Sequence, residues 1–326
     1  MESRLQRFAL QSVARGILPD SRTAKCLRIR AYDSDVQVWK SKKYGTASYA
    51  GLQTCGSVWA CPVCSAKIAE RRRVELLDAM DLHKAQGGTV SLLTLTTPHQ
   101  RGDVLVELLA QQGKALQSFL RDRKDWTVRL YLRWLVYCEK AGLGTPSFAH
   151  GIKLDDGTKA AHYVAKGMWG LEDEMTKGHT KKGKAGGESP FDLLRAVMAD
   201  RNDRQAAALF REFAEAFKGK LQLSWSNGLK ARFMVDEKTD EELSEEKEDL
   251  AVLLGLLSVD QWRDVLKVKG RGVLLDIAAK GGWANVQSYL RAIEGAASYP
   301  DTYEALTEDP AVLSEIHQVL LIELTD

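Results

Sequence analysis

The sequence has no long apolar run. Its longest one, Leu250 to Val259, reads LAVLLGLLSV and is about half of the roughly 20 residues that a membrane-spanning helix needs. The first 30 residues alternate arginines with single apolar residues and contain no apolar segment typical of a secretory signal. We therefore expect a soluble, cytoplasmic protein that does not act at a membrane. Disorder throughout is also excluded, because 44% of the 326 residues are apolar and only 28% are charged.

Cysteine is scarce, with five residues in the chain, and four of the five are spaced like metal ligands. Cys55, Cys61 and Cys64 lie within ten residues, Pro62 lies inside the CPVC motif, and Cys26 precedes Cys55 by 29 positions. In a reducing compartment such cysteines are more often metal ligands or free thiols than disulfides. Four thiolates would hold a structural Zn²⁺ and tie the N-terminal segment to the helix that follows. Two alternatives stay open: a group of small buried side chains, and a redox pair in the CxxC motif, although no βαβ pattern surrounds that motif.

The charges are distributed unevenly along the chain, although the formal net charge is only +2. Residues 1–235 contain 38 Lys and Arg against 24 Asp and Glu, which gives +14, whereas residues 236–326 contain 8 against 20, which gives −12. A basic segment of this size favours a polyanionic partner, and nucleic acid is the commonest one in a cytoplasm. The alternative is a charge asymmetry that serves only solubility. We expect the acidic segment to face proteins or the basic segment itself.

Hydrophobic periodicity and turn signals predict an α+β protein with a small antiparallel sheet and flanking helices. Strands are expected at 89–99 and 148–154. Helices are expected at 65–86, 103–123, 128–141, 158–166, 240–257, 259–267, 271–280, 283–294 and 310–323. The C-terminal region is thus predicted to be all-α. The chain divides into an N-terminal zinc-binding region at 1–88, a catalytic or DNA-binding domain at 89–235 and an acidic helical region at 236–326.

Several polar residues suggest contacts with nucleic acid. Tyr163 and Lys166 lie three positions apart in AAHYVAK, so a helix would place both on one face, where the tyrosine could act as a nucleophile beside the lysine. The alternative is a half-buried tyrosine beside a solvated lysine. Two groups of cations are expected to contact DNA phosphates, with a solvated helix face as the alternative for the arginines: Arg71, Arg72, Arg73, Lys177, Lys181, Lys182 and Lys184. His99 is either a ligand or a polar cap at the end of a strand, and Cys138 is expected to be a packed core thiol.

Five segments occur in an order that carries a family resemblance. They are TCGSVWACPVCSAKIAERRRVEL (54–76), LLTLTTPH (92–99), AAHYVAK (160–166), GLEDEMTKGHTKKGKAGGESPFDLL (170–194) and LQLSWSNGLKARF (221–233). Together they resemble the rolling-circle replication initiator (Rep) proteins of bacterial plasmids, which are HUH endonucleases. In that family a tyrosine attacks one strand of the origin, is joined to the 5′-phosphate and frees a 3′-OH for the polymerase. The resemblance implies an HUH-like fold, a nucleophile at Tyr163 with Lys166 as its YxxK partner, and a zinc-binding role for the cysteine cluster.

One feature of that family is absent from the sequence. The resembling proteins hold Mg²⁺ or Mn²⁺ with a His-hydrophobic-His pair before the tyrosine helix, but this chain contains no H-x-H, and residues 100–161 include one histidine, His150. The segment SFLRDRKDWT runs directly into VRLYLRWLVYCEK, which indicates an internal deletion near Trp126 that would remove a central strand. Without that metal the charge that develops on the scissile phosphate is not stabilised. We therefore expect an incomplete HUH-like domain and very weak nicking or none.

The sequence as a whole predicts a plasmid rolling-circle replication initiator that binds origin DNA, single-stranded or as a hairpin. The alternative is a catalytically inactive, truncated Rep that acts as a DNA-binding module or as a repressor of initiation. Structural Zn²⁺ is the expected cofactor, and Mg²⁺ or Mn²⁺ belongs to the intact relatives. The resemblance also implies host replication proteins as partners of the acidic C-terminal region.

Overall fold

The computed structural model describes residues 2–100, 102–121, 130–156, 188–245 and 250–294. The helices in these ranges are α1 Glu2–Ile17, α2 Arg22–Lys25, α3 Pro62–Ala85, α4 Leu105–Arg121, α5 Leu130–Lys140, α6 Phe148–Gly151, α7 Pro190–Ala199, α8 Arg204–Ala216, α9 Leu229–Arg232, α10 Asp240–Glu245, α11 Val259–Lys267 and α12 Arg271–Glu294. The strands are β1 Val36–Ser41, β2 Ala47–Ala50, β3 Ser91–Leu95, β4 Ile152–Asp156 and β5 Ala251–Leu257. This arrangement confirms an α+β protein with small antiparallel sheets.

Contacts divide the described residues into two units. The first comprises residues 2–69, 188–210 and the described part of 238–294, and the second comprises residues 211–237 with the described part of 70–156. No helix in the described ranges is long and apolar enough to cross a lipid bilayer.

The first unit is built on a three-stranded antiparallel sheet with the order β2-β1-β5. Strands β1 and β2 form a hairpin, and β5 pairs with the other edge of β1, from Val36 opposite Leu257 to Ser41 opposite Ala251. Helices α11 and α12 cover one face, where Val36, Leu257 and Leu274 are completely buried. Burying each such aliphatic side chain contributes about 1.5 to 3 kcal/mol, so this cluster is a main source of stability for the unit.

Strand β5 corrects one prediction from the sequence. A helix was expected over 240–257 and an all-α C-terminal region was expected to follow, but α10 spans Asp240–Glu245 and residues 251–257 form the edge strand β5. The beginning of that helix is confirmed: the Glu242 amide donates to Thr239 Oγ1 at 3.2 Å, and the Thr239 amide donates to Glu242 Oε2 at 2.7 Å. A short, uniformly apolar run such as AVLLGLL has no helical period, and its pairing partner decides its conformation.

Other helices agree closely with expectation. Helix α11 has the expected bounds, and α12 spans the two helices expected at 271–280 and 283–294, which meet at a kink where Gly282 has φ of 70°. In the second unit α4 and α5 confirm the helices expected there, while the strand expected at 148–154 begins at Ile152, after the short helix α6. The helices predicted at 158–166 and 310–323 lie outside the described residues.

The second unit contains a two-stranded antiparallel sheet and an apolar cluster between α4 and α5. Strand β3 pairs with β4, from Ser91 opposite Asp156 to Leu95 opposite Ile152. Phe119 and Trp134 pack edge to face with ring centroids 5.8 Å apart. Cys138 is completely buried in this cluster, which confirms it as a core thiol, and burial raises its pKa to about 11.

Candidate metal centre

Four cysteines meet in the first unit. Cys26 follows α2, Cys55 lies in the loop after β2, Cys61 directly precedes α3, and Cys64 lies in the first turn of α3. All four side chains are buried, and their sulfur atoms all lie within 4.8 Å of one another. The predicted grouping of these cysteines is therefore confirmed, and the group can hold a metal ion.

The distances between the sulfur atoms fit a tetrahedral metal site. The Sγ atoms are 3.4 Å apart for Cys26 and Cys64, 3.6 Å for Cys55 and Cys64, and 3.8 Å for Cys61 and Cys26. A zinc ion with four sulfurs at about 2.3 Å gives edges of about 3.8 Å, whereas a disulfide bond is about 2.05 Å long. The four thiols are free, and a soft all-sulfur donor set suits Zn²⁺. A pure CxxC redox pair is disfavoured because two further thiols complete the group.

Local sequence explains the position of Cys61 and Cys64. Pro62 opens α3, a position where the missing amide hydrogen costs nothing and the fixed φ favours the helix. The Ser65 amide donates to the Cys61 carbonyl at 2.8 Å, which closes the first helical turn around the CPVC motif. Both thiols thus lie at the positive end of the helix dipole, which favours a thiolate over a thiol.

Main-chain hydrogen bonds join the segment that contains Cys26 to the segment that contains Cys55. The Leu27 amide donates to the Gln53 carbonyl at 2.7 Å, and the Gln53 amide donates to the Ile29 carbonyl at 2.8 Å. The Ser57 amide donates to Cys55 Sγ at 3.4 Å. Cys26 and Cys55, which lie far apart in sequence, are therefore held together by the backbone as well as by their own sulfurs.

Hydrogen bonds among the four thiols shift their pKa values in different directions. Burial alone raises the pKa of Cys61, but hydrogen bonds from Cys26, Cys55 and Cys64 outweigh it, and the pKa of Cys61 lies well below its ordinary value. Hydrogen bonds with Cys55 and then Cys61 raise the pKa of Cys26, and hydrogen bonds with Cys26, Cys55 and Cys61 raise the pKa of Cys64. Within the group, Cys61 is therefore the thiol whose thiolate form is stabilised.

A buried polar pair lies beside the cysteines. Gln11 is completely buried, and its Nε2 donates to Cys61 Sγ at 3.2 Å. Its Oε1 accepts from Arg271 Nη1 at 2.6 Å, and the same guanidinium donates to the carbonyls of Leu27 at 3.1 Å and Cys26 at 3.4 Å. Sequence reasoning missed Gln11 and Arg271. No local pattern marks them, because they lie 260 residues apart and each looks like an ordinary helical residue.

Helix α10 of the acidic segment packs against the cysteine motif. Leu243 is buried in the same apolar cluster as the four cysteines, and Lys67 Nζ donates to the Ser244 carbonyl at 2.8 Å. The Ser244 hydroxyl donates to Thr54 Oγ1 at 2.9 Å, next to Cys55. The beginning of the acidic segment is therefore part of the surroundings of the centre.

Of the other predicted site residues, the three arginines of α3 lie within the described ranges. Arg72 is buried with Nη1 2.9 Å from Glu75 Oε2, Arg73 Nη2 is 2.6 Å from Glu70 Oε1, and Arg71 is partly exposed. Contact of these arginines with DNA stays a prediction. The remaining predicted residues lie outside the described ranges: Tyr163, Lys166, Lys177, Lys181, Lys182 and Lys184.

His99 lines an open cavity of about 430 Å³ in the second unit, together with Asp103, Glu107 and Gln111. The Asp103 carboxylate accepts from the Gln100 amide at 2.6 Å. The His150 carbonyl accepts a hydrogen bond from the Thr96 hydroxyl. In the described part of the chain, the four cysteines form the one group of side chains arranged to hold a metal.

Comparison with known proteins gives two partial matches. The chain is 41% identical over 70 residues to a protein named Protein rep from Streptomyces lividans, which covers 21% of this chain and 15% of that protein. It is 36% identical over 85 residues to a protein named Neomycin resistance protein from Streptomyces cyanogenus, which covers 26% of this chain and 18% of that protein. The matched parts thus span less than a fifth of these relatives. No family model and no solved structure matches the chain.

The tight approach at Gly56 gives a test of the cysteine motif. Gly56 has φ of 60°, and a Cβ atom there would lie 2.8 Å from Glu241 Cγ and 3.1 Å from its Cα. We expect Gly56→Ala to lower the free energy of unfolding by about 2 to 4 kcal/mol, because it combines a left-handed conformation with a displacement of α10. Gly45→Ala is the matched control, since Gly45 has φ of 66° with open space around it. It should cost about 1 to 2 kcal/mol in denaturant unfolding, and equal losses in the two variants would contradict the packing of α10 on this motif.

Proposed function

We propose that this chain is a Rep-type plasmid replication initiator that binds origin DNA, with a structural zinc ion in its first unit. The observation that carries the proposal is the 41% identity to a Rep protein over 70 residues. The order of the five resembling segments supports it, and so does the excess of basic residues up to residue 235. By the same resemblance, the lineage is one of HUH endonucleases that initiate rolling-circle replication.

In this proposal the cysteine centre is a structural site and not a catalytic one. Cys26, Cys55, Cys61 and Cys64 would hold zinc with four protein ligands, which leaves no position for water or substrate. Such a closed site joins α2, the loop after β2 and α3. Bound zinc contributes folding free energy and thereby fixes the framework that carries the β1–β2 hairpin.

Within the described residues of the first unit, the tip of that hairpin carries exposed cations beside an aromatic ring and is the proposed DNA contact. Lys42 and Lys43 are exposed, and Tyr44 is 62% exposed with Lys43 Nζ 4.9 Å from its ring centroid. The tip is rigid because the Tyr44 amide donates to Ser41 Oγ at 3.0 Å and the Gly45 amide donates to the Ser41 carbonyl at 3.0 Å. Cations that neutralise phosphates beside an aromatic ring on which a base can stack suit single-stranded DNA.

Neutralising the hairpin tip should weaken DNA binding and its salt dependence. We expect Lys42→Gln with Lys43→Gln to lower affinity for a single-stranded oligonucleotide about 10-fold and to reduce the slope of log K against log salt by about 1.4, because each lysine releases counterions from one phosphate contact. Fluorescence anisotropy at several salt concentrations measures both quantities on the full chain.

The control for that experiment is Arg263→Gln with Lys267→Gln on α11. This double variant also removes two positive charges from exposed side chains. In the wild type, however, Arg263 lies 3.0 Å from Asp260 and Lys267 lies 3.2 Å from Asp264. Its affinity and slope should stay close to those of the wild type. Equal losses in both double variants would mean that overall charge, and not the hairpin, governs binding.

A second candidate function follows from the missing histidine pair. A Rep that cannot hold a catalytic metal would still occupy the origin, and would then act as a DNA-binding module or repressor of initiation. Tyr163 is proposed as the nucleophile and Lys166 as its partner only by resemblance. The two functions differ in whether a covalent link between Tyr163 and DNA forms.

A further inference from the structure

Arg271 is an unusual residue for the interior of a protein. Among the described residues that are fully buried, Arg271 has the largest side chain. It is the first residue of α12. Its donors contact only neutral oxygens, those of Gln11, Cys26 and Leu27, and its guanidinium lies 4.8 Å from the centre of the Phe8 ring. No carboxylate of the described residues pairs with it. A buried cation without an opposite charge is strongly destabilising, so its position calls for a compensating anion.

The cysteine cluster can supply that anion. A divalent metal with four thiolates carries a net charge of −2, because two positive charges meet four negative ones. Arg271 contacts the main chain of Cys26 directly and contacts the Cys61 sulfur through Gln11. An arginine guanidinium stays charged at neutral pH in proteins, so Arg271 brings a positive charge beside the site.

We propose that Arg271 and Gln11 position and charge-balance a tetrathiolate zinc centre, and that they thereby couple metal loading to the docking of α12 on α1. The inference rests on the zinc assignment made above and extends it to residues outside the cysteine motif. Side chains that hydrogen-bond to metal ligands orient those ligands, and their loss typically lowers metal affinity 10- to 100-fold. The centre would then join both ends of the described chain rather than the N-terminal segment alone.

A second link between the same two helices provides a matched control. Arg4 Nη1 on α1 is 2.9 Å from Asp276 Oδ1 on α12, and both side chains are largely buried. Neither residue is hydrogen-bonded to a cysteine or to Gln11. Arg4→Met therefore loosens the contact between the helices, whereas Arg271→Met also removes the charge beside the sulfurs.

The test compares metal binding by these variants of the full chain. We expect Arg271→Met and Gln11→Leu to lower zinc affinity about 10- to 100-fold in competition with a chromogenic chelator. With Co²⁺ bound, the thiolate-to-metal absorption should move to lower energy in both, because the sulfurs lose a donor or a nearby positive charge. Arg4→Met should leave affinity and spectrum unchanged even where it lowers the melting temperature. Arg271→Lys, which keeps the charge, should recover part of the affinity.

The outcomes separate the inference from the zinc assignment. If the wild-type chain binds neither Zn²⁺ nor Co²⁺, the zinc assignment fails. If the wild type binds metal but Arg271→Met and Gln11→Leu match Arg4→Met in affinity and spectrum, the positioning role is wrong while the assignment stands. Should Arg271→Met fail to fold, Gln11→Leu decides the matter, since wild-type affinity and spectrum in that variant would overturn the inference.

Discussion

Replacing Cys64 with serine is expected to abolish stoichiometric zinc binding and to lower the free energy of unfolding by about 4 kcal/mol or more, an effect typical of the loss of a bound metal. Cys64 Sγ lies 3.4 Å from that of Cys26 and 3.6 Å from that of Cys55, so the substitution removes a central member of the group. Metal analysis of the purified chain should give close to one zinc per wild-type molecule. Denaturant unfolding measures the loss of stability.

Cys138→Ala is the control for this experiment. Cys138 is as completely buried as the four clustered cysteines, but it packs between α4 and α5 among apolar side chains. The variant should lose about 1 kcal/mol of stability from reduced packing and retain its full zinc content. Wild-type zinc content in Cys64→Ser, or equal loss of metal in both variants, would refute the assignment of the cluster as a zinc site.

We expect no appreciable covalent adduct between this chain and a single-stranded origin oligonucleotide in Mg²⁺ or Mn²⁺. A phenol with a pKa of about 10 is mostly protonated at neutral pH. One lysine three positions away can stabilise the phenolate of Tyr163 but cannot also neutralise the phosphate during attack. The rolling-circle initiators that the sequence resembles use a metal on a histidine pair for that second task, and no H-x-H occurs in this sequence.

Denaturing gel electrophoresis with a labelled oligonucleotide checks this prediction. A labelled band that migrates with the protein and disappears in Tyr163→Phe would contradict it. It would also favour the active initiator over the inactive DNA-binding module, and would require a metal site elsewhere. His99 and His150 would then be the first residues to replace.

Local signals predicted much of the fold. The spacing of the four cysteines was sufficient to predict that they form one cluster. The CPVC motif at the start of a helix places the thiols of Cys61 and Cys64 together, and Cys26 and Cys55 are close enough in sequence to join them. Ser258 caps α11 through a reciprocal pair of hydrogen bonds with Gln261, and the Gly281-Gly282 pair separates the two halves of α12. Caps and glycines act within one turn, and for that reason a single sequence reveals them.

Strand β5 could not be predicted in this way. Its residues are apolar without a period, so they fit a helix or a strand equally well. The strand conformation of β5 depends on pairing with the edge of β1 from Val36 to Ser41, which lies more than 200 residues earlier in the chain. The role of Arg271 has the same origin, because its burial depends on Gln11 and on the main chain at Cys26. Contacts between residues so far apart in the chain cannot be predicted from a local sequence pattern.

Selection of bound fragments from the replicon that encodes this chain tests the proposed function most directly. The zinc-loaded protein would be mixed with random fragments of that DNA, single-stranded and duplex, at two salt concentrations, and the retained fragments sequenced. We expect one short segment to be enriched, and its enrichment to persist at the higher salt while retention of other fragments falls. Uniform retention of all fragments at both salt concentrations, or no retention, would contradict an origin-binding Rep.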